Sequence, residues 1–311
     1  MRKLDKQPLL CKGYLTRSIW ANDRLAKKRG LDQPIGTFWD VSIHDHVPTT
    51  IQNVEGPPYL KDLIHQDLEG LLGPGLDTKD FIQCVYLDAK DQLSIQVHPD
   101  DAYAQKHAND NGKFETWYIM DAKPGATLVG GTTTTDANII KKELLSGEIK
   151  PYLKQWPVHT GDYFIIPNGT LHALGSGILA LEIGTNSDTT YRFYDYDRVD
   201  TQGKKRPLQI EDSFNVAHFE NTIGFIPVHD TSCRLCEDPF IVDDIYVTNN
   251  QKIMCGPAFC IITNVTDSDI LYTWKEDTQT LPAYDSLFVP YSAEELTLHT
   301  GHVLVSRPKR G

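Results

Sequence analysis

Apolar residues along the chain gather into short, β-rich runs punctuated by Gly, Pro, Asn and Asp: FIQCVYLDA, LSIQVH, ETWYIM, TLVGG, DYFIIP, ILALEIG, FIVDDIYV, AFCIITNV, SLFVPY and LTLHTGHVLVS. Helical spacing is confined to a few places. Leu60, Ile64 and Leu68, with Leu71 and Leu72, follow Pro57-Pro58, and Ile139, Ile140, Leu144 and Leu145 follow a capping Asp136. Asp100-Asp101 opens a short polar helix that reaches about Asn109. The pattern predicts a mostly β fold, a barrel or sandwich, with helices concentrated in the first two thirds of the chain.

An internal echo divides it further. In Gly161-Asp162-Tyr163-Phe164-Ile165-Ile166-Pro167 an Asp stands five residues before a Pro that ends an apolar strand, and Asp285-Ser286-Leu287-Phe288-Val289-Pro290 repeats that core. The copies lie about one domain length apart, which predicts two related β-barrels in tandem, 1–235 and 236–311. The second copy has Glu295 where the first has His172, so the chemistry of that His is not duplicated.

Composition narrows the class of partner. The 311 residues are 40% hydrophobic and 10% aromatic, enough for a sizeable core. A formal charge of −12, with acidic residues scattered along the chain, argues against nucleic acid or an anionic membrane surface. No apolar run reaches the roughly 20 residues a bilayer needs, and the start MRKLDKQPLL lacks a signal-peptide stretch, so a cytoplasmic protein is expected. Six cysteines (11, 84, 233, 236, 255, 260) are too sparse for a disulfide scaffold, and the Cys233-x-x-Cys236 pair, with no second pair nearby, reads as ordinary buried thiols.

Candidate chemistry appears where polar residues interrupt these strands. In LSIQVH, residues two apart share a face, so Gln96 and His98 point one way while Ile95 and Val97 point the other, and Pro99 stops the strand. Lys113, Glu115 and Trp117 share a face in the same manner. Gly161-x5-Pro167-x4-His172 resembles the second motif of the cupin superfamily, in which a strand, a tight turn and a returning strand aim one His into a barrel. Two His and a Glu, with a Gln beside them, are nitrogen and oxygen donors without a thiolate. Such a set suits zinc with an open water position, or an octahedral Mn²⁺ or Fe²⁺.

His98-Pro-Asp-Asp101, Gly112-Lys-x-Glu115-x-Trp-Tyr118, Pro167-x-Gly169-Thr-x-His172-Ala-Leu174 and Asn186-Ser-Asp-x-Thr-Tyr-Arg192-x-Tyr-Asp-Tyr-Asp-Arg198 together resemble the type I mannose-6-phosphate isomerases, in their short bacterial form. The likeness runs in order from about Ile19 to the C-terminus and is densest between residues 93 and 198. It implies tandem cupin-type (jelly-roll) barrels and one zinc ion per chain, held by Gln96, His98, Glu115 and His172. Members of the short form often carry Lys at the position of Gln96. The resemblance places the family's active-site Arg on Arg192, and puts Ser94 and Lys113 near the substrate phosphate or its hydroxyls. One departure is visible: relatives usually read Gly-Glu-x-Trp where this chain has Gly36-Thr37-Phe38-Trp39.

The activity so implied is a ketol-isomerase of mannose 6-phosphate and fructose 6-phosphate, working by proton transfer between C1 and C2 through an enediolate. The metal meets the oxyanion, and Arg192 holds a substrate oxygen. Lys113, a carboxylate or a water on the metal could act as the base. Lys113 or a second Arg, Arg198, could meet the phosphate, although Arg198 serves equally as a salt-bridge partner of a neighbouring carboxylate. The expected partner is a small sugar phosphate, and the expected assembly a monomer or homodimer. Two other classes stay open. One is an Fe²⁺ dioxygenase, which would want His-x-His where this chain has Gln96-x-His98. The other is a catalytically silent metal-binding cupin acting as a sugar-phosphate binding or regulatory protein. Tyr191, Tyr194, Tyr196, Trp20 and Trp39 read as packing, and the remaining histidines as surface or structural.

Overall fold

In the computed structural model, residues 6–199, 202–254 and 256–309 are described. Cys255 and the first five residues of the MRKLDKQPLL start lie outside them. The expected β runs all form strands, and contacts gather the chain into two compact units. One comprises Thr16–Thr37 and Tyr86–Val228, the other Met1–Leu15, Phe38–Val85 and His229–Gly311. The division expected after residue 235 thus falls at Val228/His229, and the second unit is not the C-terminal segment alone. Backbone pairing between distant segments is the reason: strand Leu9–Lys12 pairs with Ser286–Val289 and with Thr50–Ile51. In addition, Phe259 N–H donates to the Leu72 carbonyl. Local periodicity carries no information about such partners.

Two antiparallel sheets make up most of the first unit. One runs Gly224–Ile226, Tyr163–Ile166, Glu115–Ala122, Ile178–Thr185, and the other Tyr191–Tyr194, Ile95–Val97, His172–Ala173, Thr127–Thr132, Leu153–Pro157. Trp117, Ile119, Phe164, Leu181 and Ile183 are among its buried side chains. The second unit has its own core, in which Cys260, Ile262, Leu287, Val289, Val303 and Val305 pack together. Both copies of the internal echo are strands closed by Pro, Tyr163–Ile166 in the first unit and Ser286–Val289 in the second. Glu295 opens strand Glu295–Leu298 and makes a partly exposed ion pair with Lys252 at 2.6 Å, with none of the surroundings of His172.

The helices follow their capping signals more closely than their apolar spacing. Asp136 accepts from the N–H groups of Asn138 and Ile139 to start Ala137–Ser146; Ile140 and Leu144 are buried, while Ile139 and Leu145 are exposed. The Leu60–Leu72 run is two helices, Leu60–Gln66 and Leu68–Leu72, because Asp67 leaves helical geometry and caps the second through Gly70 N–H. Asp100 caps Asp101–His107 through Tyr103 N–H. Helices Arg24–Lys28 and Ile210–Val216 have no counterpart in the apolar spacing. Among the described residues no helix is long and apolar enough to cross a membrane, and Cys233 and Cys236 are unpaired thiols.

Candidate active site

Three neighbouring strands bring the first group of residues together. His172 and Arg192 stand directly across from Gln96, one on each side of it, so these three side chains share one face of their sheet. On the other sheet Glu182 lies across from Trp117, two residues beyond Glu115, so Glu115, Trp117 and Glu182 share a face. The faces meet: Trp117 and His172 rings are 5.5 Å apart edge to face, and the rings of His98 and His172 are 4.8 Å apart.

His98 follows the end of its strand and is held by turns latched around it. Gly169, at φ 76°, donates its N–H to the His98 carbonyl at 2.9 Å, and Asn168 donates its side-chain amide to the Pro99 carbonyl at 2.7 Å. A Cβ on Gly169 would collide with the His218 ring and the Val216 carbonyl. Gly112 returns the chain to Glu115 by donating to Asp101 Oδ1 at 2.7 Å; a Cβ there would lie 2.5 Å from the Asp101 backbone nitrogen.

Both imidazoles are fixed in one tautomer. His98 Nδ1 is 2.9 Å from the Thr189 carbonyl and His172 Nδ1 is 2.8 Å from the Thr170 carbonyl. A carbonyl only accepts, so each Nδ1 carries the proton and each Nε2 presents a lone pair. Those lone pairs face a carboxylate: His98 Nε2 is 3.3 Å from Glu115 Oε2, and His172 Nε2 is 3.0 Å from Glu115 Oε1. Ligand atoms of all three residues lie within 4.8 Å of one another, in a site closed to solvent. His98 Nε2 and both Glu115 oxygens take part in no hydrogen bond. Two imidazole nitrogens turned on one buried carboxylate, each with its proton on the far side of the ring, are the environment a cation would satisfy, so the residues fit a metal ion. Gln96 Nε2 lies 3.3 Å from His172 Nε2, at the edge of the set.

Burial pushes the His98 imidazole down to about 4, with the Lys113 ammonium adding to the effect and Glu115 opposing it, so His98 is neutral at neutral pH. Lys113 is itself buried, its Nζ 3.0 Å from Glu115 Oε2 and 2.7 Å from Glu182 Oε1. Although burial disfavours its charge, the two carboxylates outweigh that and raise it above the ordinary lysine range. Glu115 is lowered: burial acts upward, and Lys113 and the two imidazoles prevail. Glu182, also buried, is pushed up to about 7 by burial and by the charge of Glu115.

Of the residues singled out from sequence, Gln96, His98, Lys113, Glu115 and His172 are thus in one cluster. Arg192 joins its rim: Nε donates to Ser94 Oγ at 3.3 Å, Nη1 to the Pro207 carbonyl at 2.9 Å, and its backbone N–H to Gln209 Oε1 at 2.9 Å. Ser94 therefore touches Arg192. Arg198 takes the salt-bridge reading. Its Nη2 pairs with Asp195 Oδ1 at 2.5 Å, a carboxylate shared with Arg206, and its Nη1 donates to the Gln92 carbonyl. Sequence reasoning missed Glu182, although one carboxylate inside the apolar run ILALEIG is a visible signal, since a charge in a buried strand needs a partner.

A buried set of His, Glu and His between two antiparallel sheets defines a cupin-type protein with a candidate metal centre. The family model for the type I phosphomannose isomerase catalytic domain matches residues 16–124. A mannose-6-phosphate isomerase of Streptococcus mutans serotype c is 38% identical over 215 residues, 68% of this chain and 67% of that one. The crystal structure of mannose 6-phosphate isomerase from Bacillus subtilis superposes with a TM-score of 0.86 at 27% identity, covering 96% of this chain and 98% of that one. A mannose 6-phosphate isomerase solved with zinc and yttrium shares the fold, with a TM-score of 0.75 at 15% identity, covering 97% of this chain and 100% of that one. The chain belongs to the mannose-6-phosphate isomerase family and is an aldose–ketose isomerase of that family.

Proposed function

We propose that the chain interconverts mannose 6-phosphate and fructose 6-phosphate as a zinc-dependent enzyme, moving a proton between C1 and C2 through an enediolate. His98, Glu115 and His172 hold the ion, and Gln96 stands at the edge of the set, where its amide oxygen would complete it once the side chain turns over. The observation that carries this reading is the convergence of two imidazole Nε2 atoms, each with its proton held on Nδ1, on one buried carboxylate. Nitrogen and oxygen donors without a thiolate suit zinc with an open position, and one relative was solved with that ion. When bound, the ion supplies a fixed positive charge against the negative charge that develops on the substrate's C1 and C2 oxygens.

The chain's own residues do the rest. Arg192, always charged and steadied by Ser94 and the Pro207 carbonyl, holds a substrate oxygen. In this reading Lys113, an ammonium between two carboxylates, serves as the counter-charge that keeps Glu115 ionised rather than as the base. Glu182, whose carboxyl in the metal-free protein sits at about 7, has the proton affinity of a group that takes a proton and returns it, and is our candidate for the base. Held by Asp195, Arg198 is the weaker candidate for a contact to the phosphate. A phosphorylated sugar as substrate suits a cytoplasmic enzyme, working as a monomer or homodimer.

A coupled assay of fructose 6-phosphate formation tests this on protein as purified, after chelation, and after zinc is restored. Activity should vanish with the chelator and return with zinc. Stoichiometric metal without turnover at any loading would instead move the protein to the silent, sugar-phosphate-binding class.

A further inference from the structure

We propose that Asp110 is a positioning residue for this centre, holding the turn whose carbonyl sets the tautomer of His98. The inference rests on the metal reading above and adds a residue to it. Helix Asp101–His107 ends at Ala108, and Asn109, at φ 52°, turns the chain so that Asp110 reaches a segment 77 to 79 residues away. There a single oxygen, Asp110 Oδ2, accepts from Thr189 Oγ1 at 2.6 Å and Ser187 Oγ at 2.8 Å. It also receives the backbone N–H groups of Asp188 and Thr189, each at 3.3 Å. Asn111 adds a bond from its side-chain amide to the Asn186 carbonyl at 2.9 Å.

Thr189 is therefore gripped at its hydroxyl and its N–H, and its carbonyl is the group that receives the His98 Nδ1 proton at 2.9 Å. Were the turn free to rotate, that carbonyl would leave Nδ1. His98 could then move its proton to Nε2, the nitrogen that faces Glu115, and lose its donor lone pair. The strand carrying Arg192 starts two residues after Thr189, so the same tie sets where Tyr191–Tyr194 begins its pairing with Ile95–Val97. Ser187 is fully buried, and no ligand or substrate is needed to explain the tie.

The test compares wild type with Asp110→Ala and Asp110→Asn, the latter keeping an oxygen that accepts from both hydroxyls. Zinc affinity of stripped protein is read by competition with a chromogenic chelator, and the His98 tautomer by long-range ¹⁵N–¹H NMR of the metal-free protein. Asp110→Ala should bind zinc about 10–100-fold more weakly, and its His98 should populate the Nε2–H form. Asp110→Asn should recover most of the affinity and the Nδ1–H form. An Asp110→Ala protein that is folded, binds zinc like wild type and keeps the Nδ1–H tautomer overturns the role. If Asp110→Ala does not fold, Ser187→Ala and Thr189→Val remove one hydroxyl each; both should weaken zinc several-fold, and wild-type affinity in both overturns the role equally. Failure of wild-type protein to bind zinc would be a failure of the metal reading itself, which the same titration shows separately.

Discussion

Gln96 and His172 lie directly opposite each other on adjacent antiparallel strands, with Gln96 Nε2 3.3 Å from His172 Nε2. Since His172 Nδ1 already donates to Thr170, the Gln96 amide in this orientation donates to the His172 lone pair, and only by turning over would it offer oxygen to an ion. Gln96→Ala should therefore weaken zinc binding by about 10-fold, within the range of lost supporting contacts. His98→Ala and His172→Ala should abolish stoichiometric zinc. Metal content after dialysis against a buffered chelator distinguishes the two; loss in Gln96→Ala as complete as in His98→Ala would make Gln96 an essential ligand.

Among the described residues, the Lys113 ammonium is the cation that meets both carboxylates of the buried pair Glu115 and Glu182. Lys113→Met would leave two facing acids without a counter-charge. Removing one partner of a buried pair costs about 3–5 kcal/mol. Urea denaturation of the stripped protein at neutral pH should show a loss of that order, shrinking as acid protonates Glu182. An unchanged midpoint would mean that water or rearrangement replaces the lysine.

Stability of the stripped protein should respond to pH through two groups of opposite sign. His98 falls from its ordinary 6.5 to about 4, so the unfolded chain takes up that proton first. Its stabilisation is present above about 6.5 and lost as pH falls toward about 4. Glu182 rises from 4.5 to about 7, so the folded chain holds that proton; this stabilisation is present below 4.5 and lost as pH rises through about 7. The two offset each other where the windows overlap. Glu182→Gln should uncover the histidine, with stability rising with pH by on the order of 2–3 kcal/mol across that window, while wild type changes little. Denaturation at several pH values decides, and a flat profile in the variant would contradict the His98 assignment.

Arg192 and Arg198 should separate by function. Arg192→Ala should lower kcat/KM by roughly 10²–10³, the scale of a lost oxyanion donor, with zinc content unchanged. Arg198→Ala, which leaves Asp195 paired with Arg206, should keep KM for mannose 6-phosphate within about twofold, since a partly exposed ion pair contributes little. A large rise in KM for Arg198→Ala would restore it as a phosphate contact.

Turnover should show whether Glu182 carries the proton. Glu182→Gln keeps the size of the side chain and removes its titration, and should lower kcat by about 10²–10⁴ with KM little changed, the effect of losing a general base. Near wild-type kcat in a folded, zinc-loaded Glu182→Gln protein would remove Glu182 from proton transfer.

The strands, the capped starts of two helices and the donor residues could be read from sequence, because each depends on neighbours a few positions away. Period-two alternation puts Gln96 beside His98 and Lys113 beside Glu115, and side-chain caps at Asp100 and Asp136 mark helix starts. Tertiary structure decided which residues those donors meet. That Glu182 shares Lys113 with Glu115 follows from the register between Ile178–Thr185 and Glu115–Ala122. That Arg198 faces Asp195 and not the cluster of His98, Glu115 and His172 follows from the left-handed turn at Tyr196 and Asp197. That residues 38–85 belong with the C-terminal unit follows from pairing across the whole length of the chain. Side-chain chemistry and local geometry are written residue by residue. Register, charge pairing and the shift of a carboxyl to about 7 depend on burial and on partners that only folding brings within a few ångströms.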